Sequence, residues 1–360
     1  MDWSGFLARM PLLPPSAAAL DALSGGPVLV TGAGGSIGAA LSLRLARLGL
    51  PRLVLLDACE NNLYRLQQAL AHQHSQSAPE LVLALGDCAD RATLDRLFSR
   101  YAPHLVFHTA AYKHVPLLEQ QPFAAITNNI FATETVASAA ARHDARVVFL
   151  STDKAVRPCS VMGATKRVSE EVVLRRGGTA LRLGNVLDSS GSVTEVFARQ
   201  IAQGGPLTVT HPAVRRFFLT VEEAVNLLLA AAHVEPAALL APALATDHGI
   251  AALAAFMARA TAPHSEIAVR FTGLRPGDKL AEQMWDDGNR VQQAGAGLIA
   301  VHPVRPAADR FDAGLAALHE AVRTRDLGAA LAQLQWLVPG FNPGSVAMEL
   351  AQEDTLQVNA

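Results

Sequence analysis

An α/β fold, a doubly wound parallel sheet followed by a smaller mixed α/β region, is what this 360-residue sequence predicts. Two observations carry the prediction. Through residues 1–150 short apolar runs alternate with stretches of helical period. Strands separated by helices at that spacing form βαβ units, whose parallel sheet is covered on both faces. The first run is followed at once by Gly32, Gly35 and Gly38, a spacing that turns a strand into a helix around a phosphate.

Each element follows from its own pattern. Strands are expected at 27–30, 53–56, 81–85, 105–108 and 147–150. Helices are expected at 36–48, 61–72, 91–101 and, as one long element, 122–143. A helix at 162–176 and a strand at 180–183 continue the alternation. After Asn185 it loosens into a helix at 194–203, a short strand at 207–210 and a helix at 221–232, and 310–337 again has helical period. The expected organisation is an N-terminal extension over 1–26 and a Rossmann-type nucleotide-binding domain over 27–184, whose core continues in part beyond that boundary. A mainly substrate-binding region follows over 185–345, then a tail over 346–360. The alanine-rich stretch 229–262 is hard to assign.

Composition excludes several classes. Half the residues are hydrophobic and 17% charged, enough for a sizeable core. A net charge of -2 argues against nucleic acid or an anionic membrane as the main partner. Three cysteines without a C-x-x-C pair suit a reducing cytoplasm rather than a disulfide framework or structural zinc. Residues 1–26 lack the pattern of a signal peptide, and 227–246, with His233, Glu235 and two prolines, is a poor membrane span. A cytoplasmic protein without membrane insertion is expected. His108, His114 and His211 lack the spacing of a metal triad, so no metal is expected.

The glycine segment runs Thr31-Gly32-Ala33-Gly34-Gly35-Ser36-Ile37-Gly38. Gly32 allows the tight turn, Gly35 lets backbone approach a pyrophosphate, and Gly38 permits close helix–strand packing. Ser36 and Ile37 open a helix whose free amides face the phosphates. Asp57 comes 19 residues past Gly38, at the end of the next strand. A carboxylate there accepts the ribose hydroxyls of NAD and repels the 2′-phosphate of NADP. Asp87, followed by Cys88, is placed to touch the adenine, although a strand-end Asp has an equally good local account.

Of 30 lysines and arginines only four are lysine: Lys113, Lys154, Lys166 and Lys279. Lysine has a compact head whose pKa shifts with burial, whereas arginine stays charged. The densest cluster is Ser151-Thr152-Asp153-Lys154 followed by Met162-Gly163-Ala164-Thr165-Lys166. Thr152–Lys154 sits at the carboxyl edge of the sheet, where such sheets bind ligands. Met162 and Lys166 share one helix face. In the short-chain dehydrogenase pattern Tyr-x-x-x-Lys, the tyrosine takes a substrate proton and the lysine holds the nicotinamide ribose. Here Met162 occupies the tyrosine position, and a thioether is no base. Either the chemistry is lost, or Thr152, Asp153 and Lys154 perform it; an adjacent carboxylate and ammonium form an acid–base pair that a binding module does not need.

Together with Ala110-Ala111-Tyr112-Lys113-His114, Arg182-Leu183-Gly184-Asn185, Gly205–Pro212, Arg216–Thr220 and Leu274–Lys279, these segments resemble the nucleotide-sugar 4,6-dehydratases of polysaccharide biosynthesis. That family consists of extended short-chain dehydrogenases acting on UDP-N-acetylglucosamine or a close relative, and one branch carries methionine in the tyrosine position. The resemblance spans 27–340. Many relatives carry N-terminal membrane helices, which residues 1–26 do not resemble.

The resemblance implies a cycle at sugar carbons 4, 5 and 6 with NAD as hydride carrier. Lys154 is then the base at carbon 5 and Asp153 the acid at the carbon 6 hydroxyl. Thr152 holds the carbon 4 oxygen and Lys166 the nicotinamide ribose. Ala110 and Ala111 line the cofactor. Asn185 reaches the diphosphate, and Arg216 and Arg275 supply bidentate phosphate forks. Lys113 lies on the loop after the fourth strand near both ligands. Asp278 reaches the uridine ribose, and Thr208, Val209 and Thr210 the uracil through their backbone. Arg215 is read as a surface charge. A homo-oligomer is expected, paired through helices near 122–143 and 162–176 by a face of Ala132, Val136 and Ala140. Two rivals stay open: an epimerase of the same fold, whose product keeps the carbon 6 hydroxyl, and a non-catalytic NAD-binding regulator.

Overall fold

A computed structural model describes residues 1–12, 14–72 and 78–358. Two short N-terminal helices come first, α1 (Ser4–Leu7) and α2 (Ala17–Asp21). Then β1 (Val28–Thr31), α3 (Ser36–Leu45), β2 (Arg52–Asp57), α4 (Glu60–Ala71), β3 (Glu80–Leu85) and α5 (Arg91–Tyr101) build the first half of the sheet. β4 (Leu105–His108), α6 (Val115–Gln120), α7 (Pro122–Ala125), α8 (Ala132–Arg142), β5 (Arg146–Thr152), α9 (Val161–Arg175) and β6 (Thr179–Leu183) build the second. The strand order is β3-β2-β1-β4-β5-β6, all parallel, and strand Leu239–Pro242 extends it beside β6. The antiparallel strands Leu298–His302 and Arg290–Gly295 finish that edge.

Val28, Leu29 and Val30 are wholly buried, because helices cover both faces of a parallel sheet. Strand order reverses between β1 and β4, where Thr31 pairs with both Leu56 and His108. The carboxyl ends of these strands open the crevice in which such folds bind ligands.

Strands 239–242, 290–295 and 298–302 show that chain beyond residue 184 also builds the main sheet. The alanine-rich stretch holds strand Leu239–Pro242 and helix Ile250–Thr261. A second hydrophobic cluster joins Leu187, Phe197, Leu207, Val209, Phe218, Leu253 and Met257, and Trp3, Phe6 and Leu7 of α1 pack into it. The N-terminal extension is therefore part of this outer cluster. Arg9 fixes it further with two hydrogen bonds to Glu223, at 2.5 and 2.9 Å.

The expected long helix at 122–143 is continuous over 122–142 and carries a π-helical turn over 126–131. Ala132, Val136 and Ala140, expected to face a second copy, are 0–1% exposed within the single chain. They pack inward, so they form no surface for pairing. At the start of α8, His319 bonds Glu134 at 2.7 Å and stacks on Phe131 at 3.8 Å. His319 belongs to helix Ala308–Arg323, which is followed by helix Leu327–Leu337. The tail forms helix Ser345–Val358, with Ala347 wholly buried; residues 359–360 of the expected tail lie outside the described residues. No described helix is long and apolar enough to cross a membrane.

Candidate active site

Backbone sterics shape the phosphate loop. Gly32 has φ +67°, and a Cβ there would lie 2.7 Å from the Ala110 backbone. At Gly38 a Cβ would lie 2.0 Å from the Gly32 carbonyl oxygen. Both glycines are required for the chain to close on itself. A Cβ at Gly35 would meet only the Gly32 oxygen, at 3.3 Å, which leaves its outer side open to a phosphate. Ala110 and Ala111 follow β4 beside this loop.

Asp57 ends β2 and is 9% exposed. Its Oδ2 accepts from the Gly34 amide and its Oδ1 from the Cys59 amide, each at 2.8 Å. The carboxylate thus fixes the loop while each oxygen retains a lone pair for a ribose hydroxyl. A glycine cradle at a helix N-terminus with this carboxylate beside it fits a dinucleotide. Asp87 accepts from the Ala89 amide at 2.8 Å, which is the local role of a strand-end Asp. Cys88 is buried, and burial, with help from Asp87, pushes its thiol up to about 12, so it is inert as a nucleophile.

The turn after β5 gathers the acid–base pair. Lys154 Nζ donates to Asp153 Oδ1 at 2.9 Å and to Asn185 Oδ1 at 3.0 Å. Thr152 Oγ1 donates to Asp153 Oδ1 at 3.0 Å. Asp153 is wholly buried, and its Oδ2 has no hydrogen-bond partner. A buried carboxylate oxygen without a donor is costly, and it is open to a hydrogen bond from a ligand hydroxyl. Burial pulls the Lys154 ammonium down, but Asp153 and Glu282 outweigh it and hold the amine above its ordinary value.

Beneath the turn lies support that sequence reading missed. Glu170 accepts from Ser151 Oγ at 2.7 Å and from Arg182 Nε and a terminal guanidinium nitrogen at 2.8 Å each. Arg182 is wholly buried. Burial raises the Glu170 carboxyl, but Arg182 more than compensates and keeps it below its usual range. Asn129, in the π-helical turn, accepts from the Tyr112 amide at 2.9 Å and donates to Thr165 Oγ1 at 3.0 Å, joining the loop after β4 to α9. The partners in these pairs lie 12 to 36 residues apart, so no local motif announces them.

Met162 is 3% exposed near the start of α9. One turn on, Lys166 Nζ donates to the Leu150 carbonyl at 2.7 Å and lies 4.1 Å from the Phe149 ring centre. Burial lowers its amine to about 7, against the opposing pull of Glu170. His108 is wholly buried between Thr31 Oγ1 (2.6 Å) and Thr133 Oγ1 (3.0 Å). Burial and then Lys166 lower it to about 3, so it stays neutral.

The expected substrate residues divide. Asn185 joins the turn after β5 directly. Lys113 Nζ donates to the Ser190 carbonyl at 2.5 Å, and the Ser190 amide donates to Ser36 Oγ at 2.9 Å, so the loop near 190 bridges two ligand-facing segments. Arg216, expected as a phosphate fork, is 7% exposed and donates to the carbonyls of Arg215, Lys279 and Leu280; its donors serve the fold. Arg275 and Asp278 pair with each other at 2.9 Å. The Thr208 amide donates to Gln200 Oε1 and the Val209 carbonyl accepts from Thr272, so these two backbone groups are already engaged; Thr210 follows them. Arg215 is a half-exposed partner of Asp247. Among the described residues no cluster of three or more His, Cys, Asp or Glu side chains could hold a metal.

Such a sheet, with a glycine loop after β1, an Asp ending β2 and a lysine one turn into the helix after β5, defines an extended short-chain dehydrogenase. The family model described as "Polysaccharide biosynthesis protein" matches residues 28–302, and the chain belongs to that family. It is similar to the capsular polysaccharide biosynthesis protein CapD of Staphylococcus aureus, 38% identical over 71% of this chain and 44% of the relative. The probable polysaccharide biosynthesis protein EpsC of Bacillus subtilis is 37% identical over 77% of this chain and 48% of the relative. The chain thus spans about half the length of these relatives. The solved structure of Pen from Bacillus thuringiensis superimposes with a TM-score of 0.68 at 26% identity, covering 73% of this chain and 83% of Pen.

Proposed function

We propose that this chain catalyses 4,6-dehydration of a nucleotide-diphosphate N-acetylhexosamine, UDP-N-acetylglucosamine first among candidates, with NAD in the glycine cradle. The observation that carries the reading is the hydrogen bond from Lys154 to a wholly buried Asp153 at the carboxyl edge of the sheet. NAD, when bound, supplies a hydride acceptor at carbon 4 and a donor at carbon 6. The proton work falls to the chain.

The assigned roles need Lys154 as neutral amine and Asp153 as carboxylic acid. That pair is the proton tautomer of the ion pair, reached by moving one proton along a 2.9 Å hydrogen bond. Asp153 is already wholly buried, and a sugar that covers the turn strips the remaining water from Lys154, which favours the neutral amine. Lys154 then takes the carbon 5 proton and becomes ammonium. Asp153 protonates the departing carbon 6 hydroxyl and becomes carboxylate. Water leaves, and the Lys154 ammonium returns its proton to carbon 5. The proton released from the carbon 4 hydroxyl on oxidation restores the Asp153 acid, so the proton count closes. Thr152 positions the carbon 4 oxygen. Lys166 serves the nicotinamide ribose, and Met162 fills the tyrosine position without titrating. Lys113 and Asn185 reach the diphosphate region, and Arg275 and Asp278 reach the nucleotide after exchanging partners.

Incubation with UDP-N-acetylglucosamine and NMR of the product is the test. Loss of one water with a methyl group at carbon 6 supports the reading. A product inverted at carbon 4 that keeps its carbon 6 hydroxyl points to the epimerase, and bound NAD without turnover points to the regulator.

A further inference from the structure

Glu282 is absent from the motifs that the sequence singles out, yet its carboxylate, 2% exposed, meets three cations at the catalytic turn. Oε2 accepts from Lys279 Nζ at 3.1 Å. Oε1 lies 3.9 Å from Lys154 Nζ and 3.8 Å from Arg216 Nε. Lys279 also donates to the Val156 carbonyl at 2.7 Å, just past the turn, and Arg216 donates to the Lys279 carbonyl at 2.8 Å. Segment 275–282, which carries Arg275 and Asp278, is therefore fastened to Lys154 through one carboxylate. Gly277 lets it lie this close: at φ +77° a Cβ there would sit 2.8 Å from Val115 and 2.9 Å from Ser160.

We infer that Glu282 is a positioning residue that sets the proton affinity of Lys154 and couples it to ligand binding on the 275–282 segment. A carboxylate shared among three cations pulls on each according to where the others stand. If Lys279 or Arg216 moves away when the segment closes on a nucleotide, more of the Glu282 charge falls on Lys154; if Glu282 moves with them, Lys154 loses a partner and releases its proton more readily. The charged groups facing Lys154 are Asp153 on its own turn, Glu282 from this segment and Arg216 from the strand at 215–216; Asn185 adds a neutral acceptor. Asp153 and Glu282 favour the ammonium, while burial and Arg216 oppose it. Asp153 is the proton-transfer partner; Glu282 contacts Lys154 only through charge and has no donor hydrogen bond from it.

The chain has only four lysines, so its lysine side chains form a resolvable set in NMR after isotopic labelling. Lys154→Arg identifies one signal. The inference uses the dehydratase reading only for its kinetic consequence, because this titration needs no turnover. Glu282→Gln should move the Lys154 titration to lower pH. Lys279→Gln should move it to higher pH, since Glu282 then loses a competing cation. The Lys113 and Lys166 signals should stay in place, which a general loosening of the fold would not permit, and Glu282→Asp should keep Lys154 between parent and Gln. Added UDP should shift the Lys154 signal in the parent and not in Glu282→Gln. An unchanged Lys154 titration in both variants, or shifts of the same sign, overturns the inference. Should Glu282→Gln fail to fold, Lys279→Gln and Glu282→Asp decide the titration, and an unresponsive Lys154 in both overturns it. The expected titrations without any dehydration would sink the dehydratase reading alone, and dehydration with a Lys154 indifferent to Glu282 would sink this inference alone.

Discussion

The glycine loop and the turn at 152–154 stand at the carboxyl edge of one sheet, held by different physics. The loop is a problem of space. Gly38 and Gly32 are fixed by backbone atoms 2.0 and 2.7 Å from where a Cβ would sit, contributed by the loop itself and by the segment after β4. The turn is a problem of charge. Asn185, Arg216, Lys279 and Glu282 reach it from far along the chain. A site built from sterics tolerates no added atom but is indifferent to pH. A site built from shared protons tolerates conservative shape and responds to each charge.

The largest effect expected from breaking this contrast is at the turn. Asp153→Asn keeps the shape and removes the acid, so dehydration should fall about 100- to 10,000-fold. NAD content and melting temperature should stay near the parent. Activity within a few-fold of the parent would place the acid elsewhere. Next comes the loop: Gly38→Ala should lose bound dinucleotide and about 1–3 kcal/mol of stability, because backbone must move to admit the methyl group. Quantifying NAD released on denaturation, beside a urea titration, checks both; retention of full NAD would show that the loop is less constrained than its contacts imply.

A third measurement sharpens the contrast through pH. His108 is lowered to about 3 in the fold, while an unfolded histidine titrates near its ordinary 6.5. Between those values the unfolded chain binds the extra proton, so stability should fall as pH drops from 6.5 toward 3. His108→Gln should flatten that part of the urea-midpoint profile. The smallest effect is at the rim. Trp3 Nε1 donates to Asp188 Oδ2 at 2.7 Å, and Trp3→Phe should cost about 1 kcal/mol with little change in NAD content.

The same division explains what the sequence disclosed. The strands at 105–108 and 180–183, and the helix at 91–101, fall where their periods place them, because alternation and period are local. The glycine loop, Asp57 and the Asp153–Lys154 pair are also local signals. Glu170, Asn129 and Glu282 are not, since their meaning lies in distant partners. The π-helical turn at 126–131 keeps the helical period to the eye and changes only its phase. Strand 290–295 lies at the sheet edge, where exposed polar side chains dilute the apolar alternation, whereas its partner 298–302 is apolar and mostly buried, a short isolated run that the alternation does not single out.

The helix at 308–323 carries one further consequence. By seating His319 on Phe131 and Glu134, the chain ties the start of its own α8 to this helix. An intermolecular contact at this face would weaken on dilution, but an intramolecular one acts at a fixed effective concentration. The contact of His319 with Phe131 and Glu134 should therefore be the same at nanomolar as at millimolar protein.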